Sequence, residues 1–295
     1  MSSGCGQPAF SSKHINRLRQ LGQFIHNGGQ PFVFDGGVVG TTPTENEDKE
    51  NAKQEARSAT GSRKRQRAGT RTRPPGNAQQ LRSGPLETAF GDRFRVLVRH
   101  YKAVAFEDDF GLWTVIRTRP LGSDGPIAIL LVAIALDEAL APRSWAFSSI
   151  GTRVCHFPVK HTNFPDASIC AYKPRSGAWE PDDGFVALLD HYSLWVLKSW
   201  HRTVLGWWPG PQVGVSALYR RREFQTRELC GCESGRTYGA CHQYADTLIS
   251  ENDALSDFRR RFGCDYFDRR LPPSIESAAS SVWKNLPPMR SIFGQ

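Results

Sequence analysis

The stretch HTNFPDASICAYKPRSGAW, residues 161–179, decides how we interpret the rest of the chain. Its two prolines, its Asp-Ala-Ser turn and the lack of a sustained apolar period predict a loop. Cys170 lies in the middle of it, and the amide side chain of Asn163 is seven residues upstream. A cysteine on a polar loop is a candidate nucleophile, and Asn163 offers a donor to an oxyanion. The alternative is a small, inert, buried thiol.

The segment resembles the active-site loop of ubiquitin-conjugating (E2) enzymes. That family carries His-Pro-Asn, a few residues, Asp-Gly, one residue, Ile or Val, and then the thioester-forming cysteine. The residues that fit this order are His161, Asn163, Pro165, Asp166, Ser168, Ile169 and Cys170, with Trp179 and Pro181 as the family's later Trp-x-Pro. Thr162 replaces the proline and Ala167 replaces the glycine of the E2 pattern, and the segment is one residue shorter than that pattern between Asn163 and Pro165.

This resemblance implies an α/β (α+β) fold of the E2 type, with an antiparallel meander, the active-site loop and flanking helices. It implies a ubiquitin-like protein transferase in which Cys170 accepts a ubiquitin-like protein from an E1-like activating enzyme. The acyl group then passes to an amine, typically a lysine, on a protein target. Asn163 would stabilise the oxyanion or hold the loop, and His161 would buttress the loop. The likeness is closer to divergent prokaryotic members, which act with ubiquitin-like and deconjugating partners, often in antiviral defence.

An amphipathic helix is predicted after the loop. Apolar residues recur at i, i+3 and i+4 from Phe185 onward, and the helix is expected to end near Gly206. Asp182 or Asp183 is a natural N-cap. Glu180, Asp182 or Asp183 could instead orient or deprotonate the incoming amine.

A second motif, CGCESGRTYGACH, covers residues 230–242. Four ligands of the kind that zinc prefers lie within thirteen residues and leave no open coordination position, so the spacing predicts a structural Zn²⁺ site. These ligands are Cys230, Cys232, Cys241 and His242. The segment resembles the SEC-C motif, with Gly231 and Glu233 in place of the usual Pro and Gly. That resemblance implies a small module that binds protein or nucleic acid. Four arginines near it suit an acidic partner or form a solvated face: Arg220, Arg221, Arg222 and Arg227.

The remaining patterns are weaker. A helix at 14–26 and a short strand and turn at 31–39 belong to a docking arm or to the main domain. Strands are predicted at 94–98, at 112–120 and at 127–136, with a hairpin turn at 122–125. The strand at 127–136 is apolar on both faces and should be central. Residues 41–85 read as a disordered linker, whose arginines either bind nucleic acid weakly or are simply solvated.

The 295 residues are therefore divided into an arm (1–40), a basic linker (41–85), an E2-like domain (86–210), a zinc element (211–260) and a tail (261–295). Seven unevenly spaced cysteines favour a reducing compartment over a disulfide framework. The longest apolar run is about half the ~20 residues that a membrane helix needs, so we expect a cytoplasmic protein.

Two alternatives to the transferase remain. One is a catalytically inactive E2-like scaffold that binds nucleic acid or protein through its zinc element and its basic linker, which the net charge of +9 permits. The other is a cysteine hydrolase, in which His161 or His191 would act as the base for Cys170.

Overall fold

A computed structural model describes residues 10–29, 31–34, 37–39, 104–108, 111–118, 121, 128–134, 142–150, 153–157, 160–172, 178–276 and 279. The predicted linker, the predicted strand at 94–98 and the turn at 122–125 lie outside these residues. Within them, helices combine with an antiparallel sheet, as the α/β prediction required.

Helix α1 (Ser12–His26) comes first, followed by the hairpin of β1 (Phe32–Phe34) and β2 (Gly37–Val39). A five-stranded antiparallel sheet follows, with its strands in chain order. Its strands are β3 (Val104–Asp108), β4 (Gly111–Arg117), β5 (Ile129–Ile134), β6 (Arg143–Ile150) and β7 (Arg153–His156). The helices after the sheet are α2 (Gly184–Leu205), α3 (Ala217–Glu223), α4 (Gln243–Leu248) and α5 (Glu251–Phe262).

Strand β5 is central, as its two apolar faces predicted. Leu130 and Val132 face the main core, whereas Ile129 and Leu131 face the opposite side of the sheet. The sequence did not single out β6 and β7 as strands. Small and polar residues, such as Ser144 and Ala146, occupy buried positions in β6, so the apolar contrast that marks a strand is weak there.

Helix α1 packs on α2 and belongs to the main core, because Leu18, Leu21 and Ile25 are buried in the same cluster as the α2 side chains. The close approach depends on Gly22, where an added Cβ would lie 2.0 Å from Nε2 of His201. Helix α2 ends as predicted, with Gly206 in the left-handed region at φ 80°.

The start of α2 differs from the prediction. A 3-10 turn (Pro181–Asp183) precedes the helix, and Asp183 occupies the N-cap position without capping a helical N–H. Its carboxylate instead accepts from the backbone N–H of Glu180 at 2.8 Å.

The far side of the sheet is covered by the segment that the sequence assigned to a tail. Ile275 is buried among the aromatic residues of that face, which include Trp113, Trp145 and Phe147. None of the helices in the described ranges has the length and apolar character needed to cross a membrane.

Candidate functional site

The Cys170 loop, residues 161–170, is anchored to strand β6 of the sheet by its backbone. Ile169 donates its N–H to the carbonyl of Ser144 in β6 at 2.7 Å. Thr162 and Ile169 form an antiparallel bridge across the loop, and the N–H of Asn163 reaches the carbonyl of Ser168 at 2.7 Å. The loop is therefore an ordered continuation of the meander.

The side chain of Asn163 holds the loop together by hydrogen bonds to other residues of the loop. Its side-chain amide donates to the hydroxyl of Ser168 at 3.1 Å and to the carbonyl of Ile169 at 3.0 Å. Both hydrogens of the amide are used in this way, so the amide could donate to an oxyanion only if one of these hydrogen bonds broke. Of the two roles predicted for Asn163, the geometry favours the loop-holding one.

Asp166 shapes the turn before the cysteine. One carboxylate oxygen accepts from the N–H of Ser168 at 3.0 Å, and the other forms an ion pair with Arg143. The backbone carbonyl of Asp166 accepts from the indole of Trp145 at 2.9 Å. Ala167 follows in the left-handed region at φ 57°, at the position where the E2 pattern carries glycine.

His161 is a buried, neutral hydrogen-bond acceptor. Its Nε2 accepts from the Arg202 guanidinium at 3.1 Å, and its carbonyl accepts from the indole of Trp195 at 2.7 Å. Its ring lies 4.0 Å from the ring of Trp208, centroid to centroid. Burial, followed by the charges of Arg202 and Arg269, holds the pKa of His161 well below its usual range. These contacts fit the buttressing role that the resemblance implies.

A buried ion pair joins the loop to the C-terminal segment. Glu223 and Arg269 are almost fully enclosed, and the guanidinium of Arg269 pairs with the carboxylate of Glu223. The same carboxylate accepts from the hydroxyl of Tyr266 at 2.6 Å and from the N–H of His161 at 3.3 Å. Arg269 also donates to the carbonyl of Thr162 at 3.3 Å. Sequence reasoning missed this pair because its partners are 46 residues apart.

Cys170 lies in the wall of a cavity of about 310 Å³. Its side chain is a free thiol that remains accessible, although protein surrounds it on most sides. This enclosure raises the pKa of the thiol, and the positive charge of Arg269 opposes the shift. The thiol is therefore protonated at rest near neutral pH. The remaining walls come from the loop, from α2, from the segment 208–215, from α3 and from α5.

Neither predicted imidazole base is bonded to the thiol. Within the described residues the Nε2 of His161 accepts from Arg202, and the Nε2 of His191 lies 2.9 Å from the carbonyl of Ala178. Both histidines line the cavity, yet no cysteine–histidine hydrogen bond forms there. This arrangement disfavours the cysteine hydrolase.

Two cavity residues were missed from the sequence. Tyr219 is buried in α3, and among the described residues its hydroxyl has no hydrogen-bond partner. Burial, with the nearby Glu223 and Cys170, raises the pKa of Tyr219 well above its usual range. Lys198 lines the cavity from α2 and likewise has no polar partner in the described residues. Lys198 follows Leu194 and Trp195 on one helical stripe, and that spacing was the available signal.

The predicted zinc ligands converge. The donor atoms of Cys230, Cys232, Cys241 and His242 all lie within 4.8 Å of one another. Nδ1 of His242 is 3.2 Å from the sulfurs of both Cys230 and Cys241, and the sulfurs of Cys232 and Cys241 are 3.5 Å apart. The ligand atoms of a tetrahedral zinc lie about 3.5–3.8 Å apart, given bonds of about 2.0–2.3 Å. The four residues therefore fit a zinc ion, and all four positions are filled by protein.

Within the zinc element, residues 228–242 form a small hairpin followed by a helix start. Leu229 pairs with Thr237, and the N–H of Tyr238 donates to the carbonyl of Glu228 at 2.7 Å. Cys230 and Cys232 lie at the tip of the hairpin, where Glu233 is left-handed at φ 65°. Cys241 and His242 come just before α4. The folded hairpin therefore brings the Cys230–Cys232 pair against the Cys241–His242 pair.

The arginines near the zinc element form ion pairs and hydrogen bonds within the protein. Arg220 forms an ion pair with Asp246 at 2.5 Å. Arg221 and Arg222 both pair with Glu251, at 2.8 and 2.5 Å. Arg227 donates to the carbonyl of Leu205 at 2.8 Å. The interpretation that these arginines bind an acidic partner is therefore less favoured than it was from the sequence alone.

No family model matches this sequence, and comparisons with the curated proteins and with the solved structures give no significant match. The resemblances to E2 enzymes and to SEC-C motifs consequently rest on the residues quoted above.

Proposed function

We propose that this protein is an E2-like transferase that carries a ubiquitin-like protein as a thioester on Cys170. The observation that carries the proposal is an accessible thiol in the wall of a cavity, on an ordered loop that directly follows an antiparallel meander. The order of meander, loop and helix is the one that the E2 resemblance implies.

The proposed chemistry has two steps. The Cys170 sulfur attacks the carbonyl of an E1-bound thioester, and the E1 thiol leaves with a proton. A target amine then attacks the new thioester, the carbon–sulfur bond breaks, and the Cys170 thiol is restored. Because the pKa of Cys170 is raised, the first step requires loss of the thiol proton and should accelerate with increasing pH.

Tyr219 is our candidate donor to the oxyanion that forms in both steps. Asn163 is committed to the loop, whereas the Tyr219 hydroxyl is free among the described residues and belongs to the same cavity as Cys170. Its raised pKa keeps the hydroxyl protonated and able to donate.

Glu180 and Asp182 are the candidates for orienting the amine. Both are exposed on the segment that leads into α2, whereas the carboxylate of Asp183 is engaged by the N–H of Glu180. In this proposal the zinc element acts as a structural partner-binding module, with zinc holding the hairpin closed.

The proposal is tested by charging the protein with ATP, an E1-like enzyme and a ubiquitin-like protein from the same organism, followed by non-reducing electrophoresis. We expect an ATP-dependent adduct that reductant removes and that Cys170→Ala abolishes. Cys264→Ala is the matched control, because Cys264 is also a free thiol and lies outside the cavity. If the E1 itself is charged and no adduct forms on the wild type, the inactive scaffold becomes the better proposal.

The role of Tyr219 is separable from the role of Cys170. Alkylation of a thiol by iodoacetamide passes through no oxyanion, whereas acylation by a small thioester such as N-acetylglycine thiobenzyl ester does. Tyr219→Phe should leave the alkylation rate of Cys170 unchanged and should slow its acylation about 100-fold. Equal loss in both reactions would indicate a purely structural role.

A further inference from the structure

The cavity beside Cys170 carries a positive charge that the protein does not neutralise. Lys198 of α2 lines it and has neither a hydrogen bond nor an ion pair within the part of the chain that the structure describes. Burial lowers the pKa of Lys198 to about 8, and no carboxylate counteracts this. The Lys198 side chain is half-buried, so its ammonium has lost part of its hydration and gains from an anionic partner.

The cavity offers no internal counter-charge. None of the described residues that line it is acidic. The buried carboxylates of Glu223 and Glu228 are already engaged: Glu223 by Arg269 and Tyr266, and Glu228 by the N–H groups of Trp208 and Gln225. An anion that enters the cavity is thus the available partner for Lys198.

The other walls define the rest of the ligand. They are predominantly aromatic and aliphatic, and they include Phe164, Tyr172, Trp195, Trp208, Tyr219 and Phe262. Rings at these positions favour a flat apolar body, and the volume of about 310 Å³ is at the lower end of small-molecule sites. Gln212 and His191 also line the cavity and add polar atoms to this apolar surface.

We propose that this cavity is a binding site for a small organic anion with a flat apolar body, such as an aromatic carboxylate, with Lys198 as its counter-charge. The proposal is independent of thioester chemistry at Cys170. A bound ligand would nevertheless lie against the thiol, because Cys170 and Lys198 belong to walls of the same cavity.

The test compares naphthalene-2-carboxylate with its neutral amide, naphthalene-2-carboxamide, by isothermal titration calorimetry on the full-length protein. We expect the carboxylate to bind at least tenfold more tightly than the amide. Lys198→Met should remove that difference and leave the affinity for the amide unchanged, since the apolar walls remain. Lys160→Met is the control, because Lys160 lies outside the cavity.

The position of the ligand is tested by protection of Cys170. Saturating naphthalene-2-carboxylate should slow alkylation of Cys170 by iodoacetamide about tenfold or more, as measured by mass spectrometry, and should leave Cys264 unaffected. The proposal fails if the carboxylate does not bind, if both compounds bind equally, or if binding leaves Cys170 unprotected. Each of these outcomes is independent of whether Cys170 accepts a ubiquitin-like protein.

Discussion

The Cys170 loop and the zinc element both contain a cysteine and a left-handed residue in an irregular segment, but different forces hold them. In the loop, the side chains of Asn163 and Asp166 find partners within the protein. In the zinc element, the donor atoms of Cys230 and His242 have mainly the other ligands as neighbours. Contacts within the protein are therefore sufficient to hold the loop, whereas the zinc element needs a bound metal to hold its ligands together. This difference decides which substitutions should be severe.

Loss of zinc is expected to have the largest effect. Elemental analysis of the wild type should give one zinc per chain. Cys230→Ser should lose the metal and destabilise the protein by more than about 5 kcal/mol, because the free energy of zinc binding contributes directly to folding at such sites. Cys264→Ser is the control, since this cysteine lies outside the cluster. Full stability and full zinc content in Cys230→Ser would show that the four residues do not form a metal site.

The loop should depend instead on its buried ion pair. Arg269→Met leaves the carboxylate of Glu223 without its main partner, and we expect a loss of about 3–5 kcal/mol in chemical denaturation. The double variant Arg269→Met, Glu223→Gln should recover part of that loss, because a neutral amide oxygen still accepts from Tyr266. Additive effects in the double variant would contradict a coupled pair.

These two regions also differ in how far sequence predicts them. The zinc ligands are close along the chain, and one hairpin brings them together, so their spacing was sufficient. The Cys170 cavity is assembled from the loop, α2, α3 and α5, and its residues Tyr219 and Lys198 carry no local motif. The same holds for Arg269, which lies in a segment that the sequence classed as a tail. The helices were predictable because burial repeats regularly along them, and the central strand β5 was predictable because its apolar run is continuous.

Replacing the unpaired ammonium should stabilise the protein. Lys198→Met is expected to raise the free energy of unfolding by about 1–3 kcal/mol at pH 7, since a pKa lowered to about 8 disfavours the charged form in the folded state. Between pH 8 and about 10.5 the unfolded chain binds more protons at this site than the folded chain does. The free energy of unfolding of the wild type therefore rises with pH relative to that of the variant. A difference between variant and wild type that is constant across this range would contradict the assignment. The measurement is urea denaturation of both proteins at each pH.

The smallest expected effect concerns the left-handed residue of the loop. Ala167→Gly removes a buried methyl group, worth about 0.8 kcal/mol, and relieves a left-handed alanine, which costs about 1–2 kcal/mol. Glycine also increases the entropy of the unfolded chain, by about 0.4–1 kcal/mol. The three contributions nearly cancel, so we expect a change below about 1 kcal/mol. Ala254→Gly, at an equally buried position within α5, is the matched control and should cost about 1–2 kcal/mol, because no strain is relieved there. If both substitutions destabilise equally, Ala167 is not left-handed, and the likeness of this turn to the Asp-Gly of E2 enzymes loses its structural basis.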